Sequence, residues 1–341
     1  MCVNEDKGTL SRRQFVIGTT GVIFMGMTGR SEGSGASGTK KAPRKKNKTK
    51  VALVRTSDRA NGIARAVDLL GINPVKGKKV LLKPNFNSAD AYPGSTHNDT
   101  LVSLIKKLQA MGAGEITIGE RSGPPRTSSV LKDKGIRELC SSLGAQLIDF
   151  EELAPEDWVR IRPENSHWRD GFDVARPVLE SECIVSTCCL KTHGYGAVFT
   201  MSLKLSVGVT HKRNMTELHT SFRSMRKMIA EINQACIPSL IVMDGIEAFV
   251  DGGPMTGVRK RADVLVAGTD RIAVDAVGIA VLKALGSNEA VMGKKIFEQE
   301  QIARAVELGL GVSAPDEIEL VSGDTESGAY ADKLRMILEK G

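Results

Sequence analysis

From residue 51 onward the chain alternates short apolar runs with segments whose apolar residues fall at helical spacing. Residues 51–55, 79–82 and 115–118 read as strands. Residues 60–70 and 99–111 place apolar side chains three or four positions apart and stop at Gly71 and Gly112, as helices closed by glycine do. A continuous apolar run over 184–190 suits a buried strand; it breaks into a polar turn at 191–196, and the segment around Lys204 reads as helical. The pattern then continues with strands at 239–243 and 264–267, helices at 273–285 and 301–308, and a late strand at 317–321 before a carboxyl-terminal helix. Strands alternating with helices of these lengths imply βαβ units. The expected fold class is α/β, layered α/β/α around a largely parallel sheet, as one large domain or two lobes about one cleft. Residues 150–180, with Trp158, His167, Trp168 and three prolines, are the least regular part and read as an insertion or a hairpin covering the sheet.

Unusual polar sequence follows each strong strand. Lys83-Pro84-Asn85-Phe86-Asn87 comes after the second, and Pro84 keeps Lys83 extended and prevents a helix from starting there. Gly119-Glu120-Arg121-Ser122-Gly123-Pro124 comes after the third, a glycine-rich turn able to offer N–H groups to an anion. Lys191-Thr192-His193-Gly194-Tyr195-Gly196 ends the 184–190 run, and Asp244-Gly245 and Asp251-Gly252-Gly253-Pro254 follow the next strand. Ligands bind at the carboxyl edge of α/β sheets, so parallel strands would bring these four tips to one site. Lys83, Asn85, Lys191, His193, Lys204, His211 and Asp244 are the candidate catalytic residues. The lysines supply positive charge, the histidines act as general acid and base, and Asp244 orients them. Glu120, Ser122, Gly123 and Gly253 are candidates for ligand binding, and His193, His211 and His219 for holding a divalent metal ion. Taken singly, each signal also has a plainer reading: His97 caps a helix, His167 is a surface residue, and Asp275, within an apolar helix, needs a partner of some kind.

With 341 residues, 41% hydrophobic and 26% charged, the composition is that of a globular protein. The formal charge of +7 is concentrated at the start: residues 1–50 hold 11 Lys/Arg against 3 Asp/Glu, leaving 36 against 37 beyond. A nearly neutral body with 4% aromatic residues argues against nucleic-acid binding, which needs its basic footprint on the folded domain. Ser11-Arg12-Arg13-Gln14-Phe15-Val16 opens a mildly apolar run to about Thr28, followed by Gly/Ser-rich sequence to Gly38. This resembles a twin-arginine export signal, with an apolar run too short to span a bilayer. The expected organisation is a signal over 1–38, a basic linker over 39–50 and the α/β domain over 51–341. The resemblance implies the twin-arginine export machinery as a partner and a periplasmic or other extracytoplasmic location, with membrane association if the signal is retained.

The Lys83-Pro84-Asn85 tip, the Lys191-Thr192-His193 turn with Lys204 and Gly208 behind it, His211, Asp244-Gly245, Gly253-Pro254 with Gly257, and the helix start from Asp270 to Asp275 together resemble the domain of unknown function 362 family over roughly residues 51–285. That resemblance implies an α/β enzyme domain, found alone or fused to ferredoxin-type iron–sulfur modules, with no settled reaction. The sequence departs from the pattern at Lys204-Leu205, where many members read Lys-Asn, and it has no ferredoxin-type run of cysteines, so an iron–sulfur cluster within this chain is not expected. A looser, fold-level resemblance links the arrangement to nickel-dependent lactate racemase-like proteins.

Cys2 lies in the signal; Cys140, Cys183, Cys188, Cys189 and Cys236 are an odd set for an exported domain and read mainly as buried thiols, with Cys188 and Cys189 on opposite faces of their strand. No Gly-x-Ser-x-Gly elbow, Walker or Gly-x-Gly-x-x-Gly motif is present, so neither a nucleophilic hydrolase nor a nucleotide cofactor is indicated. Two functional classes follow. One is an enzyme acting on a small anionic molecule by Lys/His acid–base or metal chemistry; the other is an exported metal or cofactor carrier, or an accessory to a redox partner.

Overall fold

The computed structural model describes residues 48–341, so the expected signal and most of the basic linker lie outside the described residues. The first strand nevertheless begins inside the stretch assigned to the linker. Its strands are β1 (Thr49–Arg55), β2 (Val80–Lys83), β3 (Ile116–Glu120), β4 (Gln146–Asp149), β5 (Trp158–Ile161), β6 (Phe172–Ala175), β7 (Cys183–His193), β8 (Val198–Phe199), β9 (Leu240–Gly252), β10 (Gly257–Gly268) and β11 (Ile318–Val321).

One continuous sheet in the order β11-β1-β10-β9-β7-β2-β3-β4 replaces the alternative of two lobes. β10 pairs antiparallel with both β1 and β9, and the other strands along that path share one direction. The largely parallel α/β expectation therefore holds. The exception arises because β9 runs on through Asp244-Gly245 to Gly252 and turns straight back as β10. Asp244 is thus an interior strand residue and not a tip. Residues 150–180 do contain a hairpin, β5 with β6, as a separate two-stranded sheet.

Strand alternation builds the layers. Val51 and Leu53 enter one core while Ala52 and Val54 enter another, and Ile241 and Met243 against Leu240 and Val242 repeat the division on β9. The helices Arg59–Leu69 and Asn98–Ala110 cover the second face, their starts capped by Asp58 and His97, whose side chains accept the N–H groups of Asn61 and Asp99 at 3.1 Å each. His97 therefore does cap a helix. The helix Arg271–Ala284 lies on the other face and is buried at every position from Arg271 to Ile279 and on to Leu282, which is why its sequence is apolar on all sides. A third cluster, containing Trp158, Trp168 and Phe172, packs under the hairpin. The helix that follows β2 contributes to one face of the sheet, whereas the segment that follows β7 packs on the other. A crevice consequently opens at the carboxyl ends of the adjacent strands β7 and β2.

Candidate functional site

The crevice is a pocket of about 440 Å³ lined by Asn87, Arg121, Gly123, Pro124, His193, Tyr195, Lys204, Val207, Lys212, Met215, His219, Pro254 and Met255. At its floor a narrow extension of about 40 Å³, room for roughly one water molecule, reaches Lys83, Asn85, Glu120 and Thr200. The loops after β2, β3, β7 and β9 all contribute. A larger groove of about 600 Å³ between the helices Arg59–Leu69 and Asn98–Ala110 is shallow and draws on none of the four tips.

Lys83 and Glu120 form a buried ion pair at the floor. Lys83 also donates to the Pro84 carbonyl at 2.7 Å, and Glu120 accepts the N–H groups of Phe86 at 2.8 Å and Arg121 at 2.9 Å. Burial pushes the lysine pKa down and the carboxyl pKa up, and the attraction between the two opposes both shifts. Gly208 lies against this pair: a Cβ there would come within 2.7 Å of Lys83 Nζ and 2.9 Å of Glu120 Oε1, so only glycine lets the 206–209 turn approach so closely.

Lys191 is fully buried and its ammonium is saturated, donating to Asn85 Oδ1 at 2.9 Å, the Pro254 carbonyl at 3.1 Å and the Gly94 carbonyl. It ties three loops together and has no donor left for a ligand, which corrects its expected catalytic role. Asn85, with its oxygen held by Lys191, lines the floor. Arg121 is likewise buried and spent on backbone carbonyls, those of Thr210 at 2.8 Å, Ser122 at 2.9 Å and Val207. Burial lowers its pKa to about 10.

Lys204 is different. It lines both the pocket and the floor, and among the described residues its amine has no hydrogen-bond or ion-pair partner. Burial first, then the charges of Lys191 and Arg121, lower its pKa to about 7. The short helix that carries it, Ser202–Leu205, starts on a carboxylate: Asp275 accepts the N–H of Ser202 at 2.7 Å and of Leu203 at 2.9 Å. The partner that Asp275 needed is therefore a backbone terminus and not a side-chain cation. His193 shares the pocket with Lys204, and its Nδ1 accepts the Tyr195 N–H at 3.2 Å. Burial, with Lys204 and Lys191 nearby, lowers its pKa to about 2, so the ring is neutral and presents its other nitrogen as a donor.

Several expected site residues fall elsewhere. Asp244 is bound by Arg59 at 2.8 Å, Tyr92 at 2.7 Å and Thr100, on the opposite face from Lys204, and orients neither histidine. Its place inside β9, paired with Cys189, explains the difference. The His211 ring packs edge-on against Trp158 at 4.6 Å, and its Nδ1 accepts the Arg213 N–H, so it does not line the pocket. His219 does line it, with Nδ1 bonded to the Met215 carbonyl. Among the described residues no group of three or more His, Cys, Asp or Glu side chains is placed to hold a metal ion, so the set His193, His211 and His219 is not assembled. Ser122 is fully buried behind Arg121, and Gly253 serves the backbone: its φ of +76° and the Thr192 carbonyl, 2.2 Å from where a Cβ would stand, leave no room for a side chain. Gly123 lines the pocket, but its N–H donates to the Asn87 carbonyl at 2.8 Å and is not offered to a ligand. His167 is not a plain surface residue, since its Nδ1 lies 2.6 Å from the buried Glu231 carboxylate.

The sequence reading missed Thr200, Lys212, Met215 and Met255, whose roles depend on how the 197–219 segment and the β9–β10 turn fold over the crevice. Thr200 is 95% buried, and its Oγ1, at the floor, has no hydrogen-bond partner. The five cysteines of the body are all free and buried, Cys188 and Cys189 among them.

Fold and crevice together define an α/β protein with a lysine-bearing cleft, apolar over much of its wall, at the carboxyl edge of its sheet. The chain belongs to the family described as Domain of unknown function (DUF362), whose profile matches residues 80–280. It is also similar to the "Thylakoid-associated protein sll1697" of Synechocystis sp. (strain ATCC 27184 / PCC 6803 / Kazusa), with 23% identity over 214 residues. The match takes in 61% of this chain and 64% of that protein, so the chain spans just under two thirds of the relative's length. Among solved structures, the lactate racemase apoprotein from Thermoanaerobacterium thermosaccharolyticum aligns with a TM-score of 0.45 and 13% identity, over 71% of this chain and 59% of that one. No residue role is carried over from it.

Proposed function

We propose that the protein is an enzyme acting on a small anionic molecule, with Lys204 as the group that takes and returns a proton. The observation that carries this reading is the unpartnered Lys204 amine in the pocket, with a pKa of about 7. An amine that is half protonated at neutral pH is suited to general acid–base work, and Lys204 is half-buried with its amine open to the cleft and tied to no protein group. Lys191 builds the surroundings, its three donors being engaged, while Lys83 is held by Glu120 and the Pro84 carbonyl and Arg121 by backbone carbonyls. His193, neutral, supplies a hydrogen bond to the substrate.

Export by the twin-arginine machinery is part of the same proposal and rests on residues 11–28. Among the described residues no helix is long and apolar enough to cross a membrane.

The test is proton exchange. The full chain is incubated in deuterium oxide with a panel of small carboxylic acids, and exchange of the hydrogen beside the carboxyl or carbonyl group is followed by nuclear magnetic resonance. Exchange by the natural protein and its loss in Lys204→Met supports the enzyme reading. Saturable binding of these acids without exchange would overturn it in favour of a carrier.

A further inference from the structure

We propose that Lys204 is a covalent site, its amine condensing with the carbonyl group of a small 2-oxo acid bound in the cleft. The inference rests on the enzyme reading and deepens it by naming the substrate class: the unprotonated Lys204 amine acts first as nucleophile, and while it is held in the imine the proton of the adjacent carbon passes to another group of the cleft.

The choice of Lys204 follows from the state of the other lysines. Lys83 is paired with Glu120, Lys191 is saturated by neutral oxygens, and Lys212 is held by Glu151 at 2.7 Å and the Pro125 carbonyl at 2.9 Å. Lys204 alone among the lysines lining the cleft keeps a free amine. Its burial and cationic neighbours leave a large fraction unprotonated at neutral pH, which is the usual way a lysine becomes a nucleophile.

The carboxylate follows from charge. Glu120 is matched by Lys83 and Glu151 by Lys212, whereas the two buried cations Arg121 and Lys191 have hydrogen-bonding partners that are uncharged. The field at Lys204 is therefore positive, and a carboxylate within a few ångströms relieves it. The carbonyl follows from the free amine together with Thr200, whose buried, unpartnered hydroxyl lies on the same floor. Pro124, Val207, Met215, Pro254 and Met255 give the pocket an apolar wall for the rest of the acid, and about 440 Å³ is near the lower end for small-molecule sites.

The step balances without an oxidant or reductant. The Lys204 Nζ lone pair adds to the carbonyl carbon, and a proton leaves nitrogen while the carbonyl oxygen gains one, giving a carbinolamine; the Thr200 hydroxyl, which can accept and donate at once, is the group at hand to relay it. The hydroxyl then departs with the remaining amine proton as water, leaving a C=N bond between Lys204 and the acid. The imine draws electrons from the adjacent carbon and so explains how that carbon would exchange its hydrogen.

The experiment is reductive trapping. The full-length protein is incubated near pH 7 with pyruvate or 4-methyl-2-oxopentanoate and sodium cyanoborohydride, digested, and mapped by mass spectrometry. The reduced adduct should form on Lys204 with a preference of roughly tenfold or more over any exposed lysine, because an ordinary lysine is almost wholly protonated at that pH. It should vanish in both Lys204→Met and Lys204→Arg. Adduct spread evenly over surface lysines, or absent from Lys204, overturns the proposal. A parallel thermal-shift series with 4-methylpentanoate, which lacks the carbonyl, separates the two levels of inference. Stabilisation by that acid without trapping of the oxo acids removes the covalent step and leaves an anion-binding cleft. Failure of both removes the cleft reading as well. The map on the natural protein decides the matter even if a variant does not fold.

Discussion

Asp275 and Ser202 are 73 positions apart, yet the carboxylate of one accepts the backbone N–H of the other at 2.7 Å. Asp275 is wholly buried and its pKa is raised to about 7, burial outweighing the N–H groups of Leu203 and Ser202 that favour its charged form. A helix of four residues has no stability of its own, so this carboxylate, together with the packing of Leu203 and Leu205, fixes where Lys204 points. The apolar helix Arg271–Ala284 thereby sets the position of a site residue carried by another element.

Asp275→Ala should cost on the order of 2–4 kcal/mol, since it leaves two buried N–H groups unsatisfied. Asp275→Asn, which keeps an acceptor, should cost less. Chemical denaturation measures both. The Ala variant should also lose the selective labelling of Lys204 even under conditions where it is folded. Unchanged Lys204 reactivity would mean that Leu203 and Leu205 alone hold the turn.

Glu120→Gln removes one partner of the buried pair and leaves the Lys83 ammonium without a counter-charge, at an expected cost of about 3–5 kcal/mol. The double variant Lys83→Met with Glu120→Gln should be appreciably more stable than Glu120→Gln alone. A double-mutant cycle by urea denaturation, with Lys83→Met as the other single variant, checks this, and additive effects of the two single substitutions would show that the pair is not coupled.

The sheet was legible in the sequence because most of its strands are buried on both faces and read as short apolar runs between helical segments. β4 was not recognised, since Gln146–Asp149 lies at the sheet edge with no residue fully buried and so has no apolar run. The reversed strand β10 was half seen: its inner half is apolar, while its outer half, Gly257 to Arg261, is exposed and charged. The convergence of the tips after β2, β3 and β7 follows from parallel strands, and Lys83, Asn85, Glu120, His193 and Lys204 meet as that topology requires. What residue types alone do not reveal is whether a polar group is free. Lys191 and Lys204 look alike in the sequence, and only the acceptors of the first and the isolation of the second separate a fastening from a reactive amine. Asp244 and His211 fall outside the cleft for a related reason: the contacts that hold them, Arg59 for one and Trp158 for the other, are not visible in the sequence.

The export proposal concerns Arg12 and Arg13. Twin-arginine signals are read through the planar guanidinium groups, so charge by itself is not sufficient. Replacing both with lysine should therefore hold the protein in the cytoplasm, as measured by cell fractionation and immunoblotting. Equal amounts outside the cytoplasm for the variant and the natural protein would remove the proposal while leaving the cleft untouched.

Lys204 also predicts how stability depends on pH. Its pKa in the folded protein is about 7, against an ordinary lysine value of 10.5. Below about pH 7 both folded and unfolded chains carry the proton, and the cost of holding the half-buried ammonium beside Lys191 and Arg121 weighs on the fold. Between about pH 7 and 10.5 the unfolded chain holds a proton that the folded chain has lost, so the cost falls as pH rises. Lys204→Met removes the group and its proton together. The variant should be more stable than the natural protein at pH 6 by on the order of a few kcal/mol, and the gap should close by about pH 10. Lys83 has a lowered pKa in both proteins and cancels in the difference, whereas the repulsion of the Lys204 charge by Lys191, and by His193 when it is protonated, belongs to the gap itself. Urea denaturation of the two proteins across this range makes the measurement. A pH-independent gap would place the Lys204 amine in water, and a gap of opposite sign would mean that it has an anionic partner in solution. Stability gained at pH 6 at the expense of the reactive amine is the pattern of a residue kept for its chemistry against the interest of the fold.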